Sequence, residues 1–298
     1  MGDADHEPAH AHLQARRNAI TSSRLWLTVT FAAAFLAAGV GFTVVHASVL
    51  PLPSARNHQV HGSRFCGHRS YEILPDGLIA RNDVYGPHIF QCLRVSGNRI
   101  KVVNSYQARG LTGYDVGSYP SVFAGCDVFG LCTKGYRPVR VSRLKAVYIT
   151  VSTQFPGNRG RQQANDAADE YFTTGPLDGP RAIKTEFMML LGWHRLAAAP
   201  EFVTLRYGGI TWHVHWWRTS GGGYPHLIVQ ARAGNGRLRS LHHYNVMPLV
   251  NMLIRRGLVK RSWMATQWAW GNECWRACSG DATTRYAIRV VTSGHRHR

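Results

Sequence analysis

The stretch TEFMMLLGW, Thr185–Trp193, has the composition of a β-strand, yet it carries a glutamate among apolar residues. Successive side chains of a strand point to opposite faces, so Glu186 should share a face with Met188 and Leu190. The opposite face would hold Phe187, Met189, Leu191 and Trp193. A buried carboxylate is costly unless it is paired or neutral. We therefore expect Glu186 to have either a structural partner or a chemical role.

A second glutamate lies in an equally apolar stretch, SWMATQWAWGNECW. Alternation places Glu273 on one face with Gln267, Gly271 and Trp275. The chain has 35 Lys and Arg but only 16 Asp and Glu, so an arginine partner could explain either glutamate alone. Two such acids on two strands favour a shared cleft.

Composition limits the class of protein. The chain has 298 residues, 45% hydrophobic and 17% charged, as expected of a folded globular protein. Its formal net charge of +19 is compatible with nucleic acid, an anionic surface or an acidic polymer as partner. The arginines are scattered, however, and no recognition module is visible, so we do not expect a nucleic-acid partner.

The N-terminus predicts export. Residues 1–24 form a basic polar tail, residues 25–47 a signal peptide or membrane anchor, and residues 48–63 a linker. The uncharged run Leu25–Val45 has the ~20 residues needed to span a bilayer, but a small-residue cleavage site precedes Ser48. The rest of the chain is therefore expected to be secreted, or anchored to the outer face of the cytoplasmic membrane.

Six cysteines in an exported chain indicate disulfides. The spacing favours local or hairpin closure, pairing Cys66 with Cys92, Cys126 with Cys132 and Cys274 with Cys278. A zinc site is the alternative, but the chain has no CxxC pair, and we predict no metal.

The remaining pattern predicts an all-β domain over residues 64–298. Short β-type segments alternate with turn residues, which is typical of a sandwich or jelly roll of two antiparallel sheets. One helix is expected in YNVMPLVNMLIRRGLV, with Asn245 as a possible N-cap and Gly257 as its end. Its apolar face would consist of Val246, Val250, Leu253 and Ile254.

Five motifs in sequence order resemble glycoside hydrolase family 12, the small jelly-roll endoglucanases and xyloglucanases. They are RNDVYG around Asn82–Gly86, SYPSV at Ser118–Val122, NDAAD at Asn165–Asp169, EFMMLL from Glu186, and GNECW at Gly271–Trp275. The first two predicted disulfides also fall where bacterial members of the family have theirs. The resemblance extends from about Cys66 to Val291.

The resemblance implies a retaining endo-β-1,4-glucanase that needs no cofactor and works as a monomer on a polysaccharide. Glu186 would be the nucleophile and Glu273 the acid/base, and Asp169 would hydrogen-bond Glu186. A retaining pair places its carboxyl groups ~5–5.5 Å apart. The substrate-binding residues would be Asn82, Tyr85, Tyr119, Met188 and Trp275.

Three positions depart from the family pattern. Leu190 and Tyr85 replace tryptophans, and Ala269 stands where a glutamine is expected. These changes affect the substrate subsites and leave open a carbohydrate-binding protein with weak or lost activity on the same scaffold. A third hypothesis, action on an anionic cell-surface polymer, predicts arginines along the cleft.

Overall fold

The computed structural model of the protein describes residues 58–85, 89–107, 116–154, 164–175, 180–193, 199–219, 226–274 and 278–293. The predicted tail, the hydrophobic segment and most of the linker lie outside these ranges. Within them, no helix is both long and apolar enough to cross a membrane.

Within the described residues, eighteen strands form two sheets. In chain order they are β1 His58–Gln59, β2 Arg64–Cys66, β3 Ser70–Ile73, β4 Ile79–Val84, β5 Ile89–Ser96, β6 Arg99–Gln107, β7 Ser118–Gly125, β8 Val139–Arg140, β9 Leu144–Gln154, β10 Ala164–Thr173, β11 Ile183–Gly192, β12 Glu201–Tyr207, β13 Ile210–Thr219, β14 His226–Ala233, β15 Ser240–Asn245, β16 Met264–Ala265, β17 Gln267–Cys274 and β18 Ala282–Thr292. Two single-turn 3₁₀ helices cover Val141–Arg143 and Pro180–Ala182.

The twelve-stranded sheet has the order β1-β3-β4-β7-β17-β10-β11-β14-β13-β12, and β16 joins β10 to β8. The six-stranded sheet has the order β15-β9-β18-β6-β5-β2. This all-β sandwich with one helix matches the predicted jelly roll. The prediction of purely antiparallel sheets is wrong for β1 with β3 and for β11 with β14, which pair in parallel. Parallel pairing needs a longer connection, and the β12–β13 hairpin provides it between β11 and β14.

The first strand begins earlier than residue 64. His58–Gln59 pairs with Ser70 and Tyr71 of β3, so the end of the segment predicted as a linker already belongs to the larger sheet.

The main core lies between the two sheets, and β11 contributes alternate residues to it. Phe187, Met189 and Leu191 belong to this core, as the alternation predicts. Trp193 was predicted on the same face but packs with the separate group that contains Met188 and Leu190. The alternation no longer applies because β11 ends at Gly192. The Trp193 ring instead lies against Gly236, where a Cβ atom would come within 2.7 Å of it.

The one α-helix in the described part of the chain, α1, runs from Met247 to Arg255. Its buried residues include Val250 and Leu253, on the predicted face. The N-cap position is Val246 rather than the predicted Asn245. Asn245 lies one residue earlier, and its Oδ1 accepts a hydrogen bond from the Met247 backbone N–H at 3.1 Å.

The helix ends as predicted. Gly257 has a φ of +73°, which favours glycine, and its N–H donates to the Ile254 carbonyl.

The three predicted disulfides are confirmed: Cys66–Cys92, Cys126–Cys132 and Cys274–Cys278. The first joins directly opposed residues of β2 and β5. The third closes the chain immediately after Glu273, at the end of β17.

Candidate active site

Glu186 and Glu273 lie on the two strands that flank β10. On β10, Tyr171 is opposite Glu186 and Asn165 is opposite Glu273. We call the side of the twelve-stranded sheet that carries both glutamates the site face. The main core occupies the other side of these strands, so the site face is turned away from the six-stranded sheet.

Glu273 is buried, with 8% of its surface exposed. Burial raises the pKa of its carboxyl group to about 7, and the negative charge of Glu186 adds to the increase. The Asn165 side chain opposes this shift, because its Nδ2 donates a hydrogen bond to Glu273 Oε2 at 3.1 Å. A carboxyl group with this pKa can hold a proton near neutral pH and release it.

Glu186 is more accessible, since 17% of its side chain is exposed. Its Oε2 lies 2.9 Å from Nε2 of His226, the first residue of β14. The parallel pairing of β11 with β14 brings these residues together by setting Glu186 opposite Ile228. The hydrogen bond fixes one carboxylate oxygen of Glu186.

Asp169 lies between the two glutamates along β10, opposite Met188. Burial raises the pKa of its carboxyl group well above the usual range, and the charges of Glu186 and Glu273 raise it further. A hydrogen bond with the Tyr171 hydroxyl acts in the opposite direction. A raised pKa favours the protonated form of Asp169, which can donate a hydrogen bond to a neighbouring carboxylate.

Met188 is a buried residue of the site face, and it lies between Asp169 of β10 and strand β14. Its Sδ accepts a hydrogen bond from Gln230 Nε2 at 3.7 Å, and Gln230 Oε1 in turn accepts from the Arg232 guanidinium at 2.9 Å. These contacts hold the floor of the site in one arrangement next to Glu186.

Charged residues continue the site face on β4. The Arg81 guanidinium lies 2.9 Å from an Asp83 carboxylate oxygen and 2.5 Å from Asp127. Tyr85 follows β4 and is half exposed. An exposed ring held at this edge can stack against the apolar face of a sugar.

The other residues predicted to bind substrate occupy different positions. Tyr119 is buried on the site face with Phe123 and Ala269, and its hydroxyl group donates to the Ala167 carbonyl at 2.9 Å. Trp275 lies outside the described residues.

Asn82 is fully buried on the core side of β4. Its Nδ2 donates to the Gly67 and Gln91 carbonyls, and its Oδ1 accepts from the Gln91 side chain. The structure therefore does not bring Asn82 onto the site face with the glutamates. Asp83, the next residue, is the one that points there.

Four residues of the site face were missed by the sequence analysis: Asn165, Tyr171, Arg81 and His226. The period-two pattern could have identified Asn165 and Tyr171, which alternate with Ala167 and Asp169 on β10. No local pattern marks His226, because it reaches Glu186 through a strand pairing between residues 40 positions apart.

Two of the three departures from the family pattern, Leu190 and Ala269, are buried positions. Leu190 is fully buried and packs with Ala167 and Met188. Ala269 packs with Tyr119 and Phe123. Neither side chain offers an aromatic ring or an amide group to a sugar.

Within the described ranges, no group of three or more His, Cys, Asp or Glu side chains is arranged to hold a metal ion. The chemistry that this arrangement supports is carboxyl chemistry: a partly accessible Glu186 lies on one side of β10, and a buried Glu273 with a pKa raised to about 7 lies on the other.

No protein-family model matches the sequence, and no curated protein matches it. Solved structures do match. A metagenome-derived family 12 endoglucanase is 18% identical, with a TM-score of 0.67 over 77% of this chain and 97% of its own.

Endoglucanase Cel12A from Rhodothermus marinus is 20% identical, with a TM-score of 0.68 over 78% of this chain and 100% of its own. A family 12 xyloglucanase from Bacillus licheniformis is 17% identical, with a TM-score of 0.64 over 76% and 99%. The chain therefore has the fold of glycoside hydrolase family 12.

Proposed function

We propose that the protein is a glycoside hydrolase, a retaining endo-β-1,4-glucanase, with Glu186 as nucleophile and Glu273 as acid/base. The main support for this proposal is the pair of glutamates, Glu186 and Glu273. Two glutamates on the site face interact electrostatically, and the buried one has its pKa raised to about 7 while the other remains accessible. Pairs of carboxyl groups whose environments differ in this way are typical of glycosidases.

Each residue then has a defined step. Glu273 donates its proton to the glycosidic oxygen while a Glu186 oxygen attacks the anomeric carbon, so that the sugar–oxygen bond breaks and a glycosyl ester forms. Glu273, now ionised, removes a proton from water, and the resulting attack on the ester releases the sugar and restores Glu186. The Asn165 amide keeps Glu273 oriented through both steps.

Two neighbours would control the nucleophile. Protonated Asp169 can donate a hydrogen bond to Glu186, and the coupling of their charges supports this role. His226 holds Oε2 of Glu186 at 2.9 Å, so that the other oxygen is directed at the sugar.

The proposed substrate is a soluble or accessible β-1,4-glucan. The matching structures are endoglucanases and a xyloglucanase, which favours this class of polysaccharide. The uncharged run Leu25–Val45 supports action outside the cytoplasm, either secreted or anchored.

The test uses the full chain purified in a non-ionic detergent. Hydrolysis of carboxymethylcellulose, mixed-linkage glucan and xyloglucan is measured beside the variants Glu186→Gln and Glu273→Gln. We expect the parent protein to cut at least one glucan and each variant to lose roughly 10²–10⁴-fold of that rate. The anomer that forms first, followed by proton NMR, should be β.

Two outcomes would revise the proposal. A first product in the α configuration means an inverting pair with a wider carboxyl separation of ~6.5–9.5 Å. A parent protein that binds glucan but hydrolyses it no faster than the two variants is a carbohydrate-binding protein on this scaffold.

A further inference from the structure

The six-stranded sheet contains no acidic residue. None of β2, β5, β6, β9, β15 and β18 includes an Asp or a Glu. The same strands carry the basic residues Arg64, Arg94, Arg99, Lys101, Lys145, Arg285 and Arg289. We call the side of this sheet that faces away from the main core the outer face. A large share of the formal charge of +19 is therefore concentrated on one surface.

The basic residues of the outer face are aligned with one another. Arg94 on β5 is directly opposite Arg64 on β2 and Lys101 on β6, and Ser96 is opposite Arg99. Like charges at directly opposed positions destabilise a sheet. Arg94 and Lys101, which lie opposite each other on β5 and β6, therefore repel each other, and a bound anion would relieve that repulsion.

The row also borders a groove in the surface. Arg94, Ser96, Arg99 and Lys101 line it, and the two arginines are exposed. Adjacent strands are ~4.8 Å apart, so the row presents cations at intervals comparable with the length of one sugar unit in an extended polysaccharide. A linear polymer with a charge on each unit can follow such a row.

Arginine favours oxyanions that accept two hydrogen bonds at once, and carboxylates are among them. The planar guanidinium group binds a carboxylate with two parallel hydrogen bonds, which a hydrated ammonium group cannot do. On the site face, Arg81 is paired with Asp83 and Asp127.

We propose that the outer face of the six-stranded sheet binds an acidic polysaccharide, a linear polymer of uronic acids, through its carboxylates. The outer face and the site face are on opposite sides of the sandwich, so a bound polymer leaves the glutamates accessible. Resting on the proposed function, this surface would hold the enzyme on an acidic matrix while its neutral glucan is cut.

The test measures binding of the full chain, in non-ionic detergent, to immobilised polygalacturonate by biolayer interferometry over a range of salt concentrations. Fully methyl-esterified polygalacturonate is the matched ligand control, since it keeps the backbone and lacks the charge. The test variant combines Arg94→Gln, Arg99→Gln and Lys101→Gln. The matched protein control combines Arg137→Gln, Arg206→Gln and Arg255→Gln, which removes the same charge from exposed positions outside the six-stranded sheet.

We expect binding to the charged polymer only, weakened roughly 10–100-fold in the test variant, because each exposed ion pair contributes up to about a factor of five. The dependence of affinity on salt should also become less steep. The control variant should bind within about twofold of the parent. Both variants should keep the parent's hydrolysis of neutral glucan, so a failure of the proposed activity would show separately from a failure of binding.

Three results would overturn the proposal. Equal losses in both triple variants would mean that net charge alone drives binding. Equal binding of the esterified polymer would mean that carboxylates are not recognised. Tighter binding of phosphatidylglycerol vesicles or duplex DNA, lost in the same test variant, would assign the surface to a lipid or a nucleic acid instead.

Discussion

The two outward surfaces of the sandwich differ in where their charges lie. The strands of the twelve-stranded sheet contain the acids Glu72, Asp83, Asp166, Asp169, Glu170, Glu186, Glu201 and Glu273. The strands of the six-stranded sheet contain none, and their arginines and lysines lie on the outer face. All of these acids except Glu201 are buried or half-buried, whereas the other sheet presents cations to the surroundings.

The difference shows how burial or exposure determines what a charged side chain can do. A carboxyl group that is buried without a cation keeps its proton, and its raised pKa is what an acid/base catalyst needs. Exposed cations keep their charge and their hydration, so they can act only by attracting anions. We therefore expect catalysis at the site face and anion binding at the outer face.

The largest expected effect is on the pH dependence of hydrolysis. Glu273 must be protonated to act as the acid, so kcat/KM should fall as pH rises above about 7. Glu273→Gln should lose roughly 10²–10⁴-fold in rate and also lose this alkaline limb. Initial rates on the preferred glucan between pH 4 and 9, at roughly unit intervals, would measure both.

Glu201→Gln is the matched control, because Glu201 is an exposed acid at the edge of the same sheet. It should keep both the rate and the alkaline limb. An alkaline limb that persists in Glu273→Gln would assign the acid/base role to another group.

The second expected effect comes from the backbone beneath the site. A Cβ atom at Gly271 would lie 2.2 Å from the Pro120 carbonyl oxygen and 2.9 Å from the Ser121 Cα atom. Gly271→Ala should therefore push β17 away from β7, at a cost of about 1–3 kcal/mol in the free energy of unfolding. It should also move Glu273, two residues away, and lower kcat by up to ~10²-fold.

Gly175→Ala provides the comparison, since no atom lies within 4 Å of its Cβ position. Urea unfolding and glucan hydrolysis are measured on both variants. If Gly271→Ala matches Gly175→Ala in both measurements, β7 and β17 are not as closely packed as the structure has them.

Local sequence patterns predicted the features that depend on neighbours in the chain. Short spacing identified the disulfides, and alternation placed Glu186 with Met188 on one face. The same alternation accounts for the position of Asn82. Asn82 and Tyr85 are three positions apart, so a strand through both would point them to opposite faces. Asn82 indeed faces the core.

Features that depend on strand order could not be predicted. The contact between His226 and Glu186 exists because β11 and β14 pair in parallel across an intervening hairpin. The aligned cations have the same origin, since Arg94 meets Lys101 through the register of β5 and β6. The sequence reports how many charges there are but not which strands carry them side by side.

A third prediction concerns stability and pH. Burial raises the pKa of Asp166 to about 7 and that of Asp281 to about 8. Between their usual pKa values, near 4, and these raised values, the folded protein binds more protons than the unfolded chain. The free energy of unfolding should therefore fall as pH rises from about 4 to 8, by about a few kcal/mol in total.

Chemical unfolding at intervals across this range measures that slope. Asp166→Asn and Asp281→Asn should each flatten it, whereas Asp76→Asn, in an exposed turn, should leave it in place. Stability that rises with pH over the same range would show that these carboxyl groups are ionised in the folded protein.

The smallest expected effect tests the outer face. Lys101→Glu replaces a like-charge pair with an opposite-charge pair at the position facing Arg94. The free energy of unfolding should rise by about 0.2–1 kcal/mol in low salt, and the gain should shrink in high salt. Lys101→Gln should give a smaller gain, because it removes the repulsion without adding an attraction.

Combining Lys101→Glu with Arg94→Gln should abolish the extra gain, since the new partner is then missing. A loss of stability in Lys101→Glu at every salt concentration would show that Arg94 and Lys101 do not repel each other. In that case the alignment of cations would need no bound anion to explain it, and the surface would lose its strongest argument for a polyanionic partner.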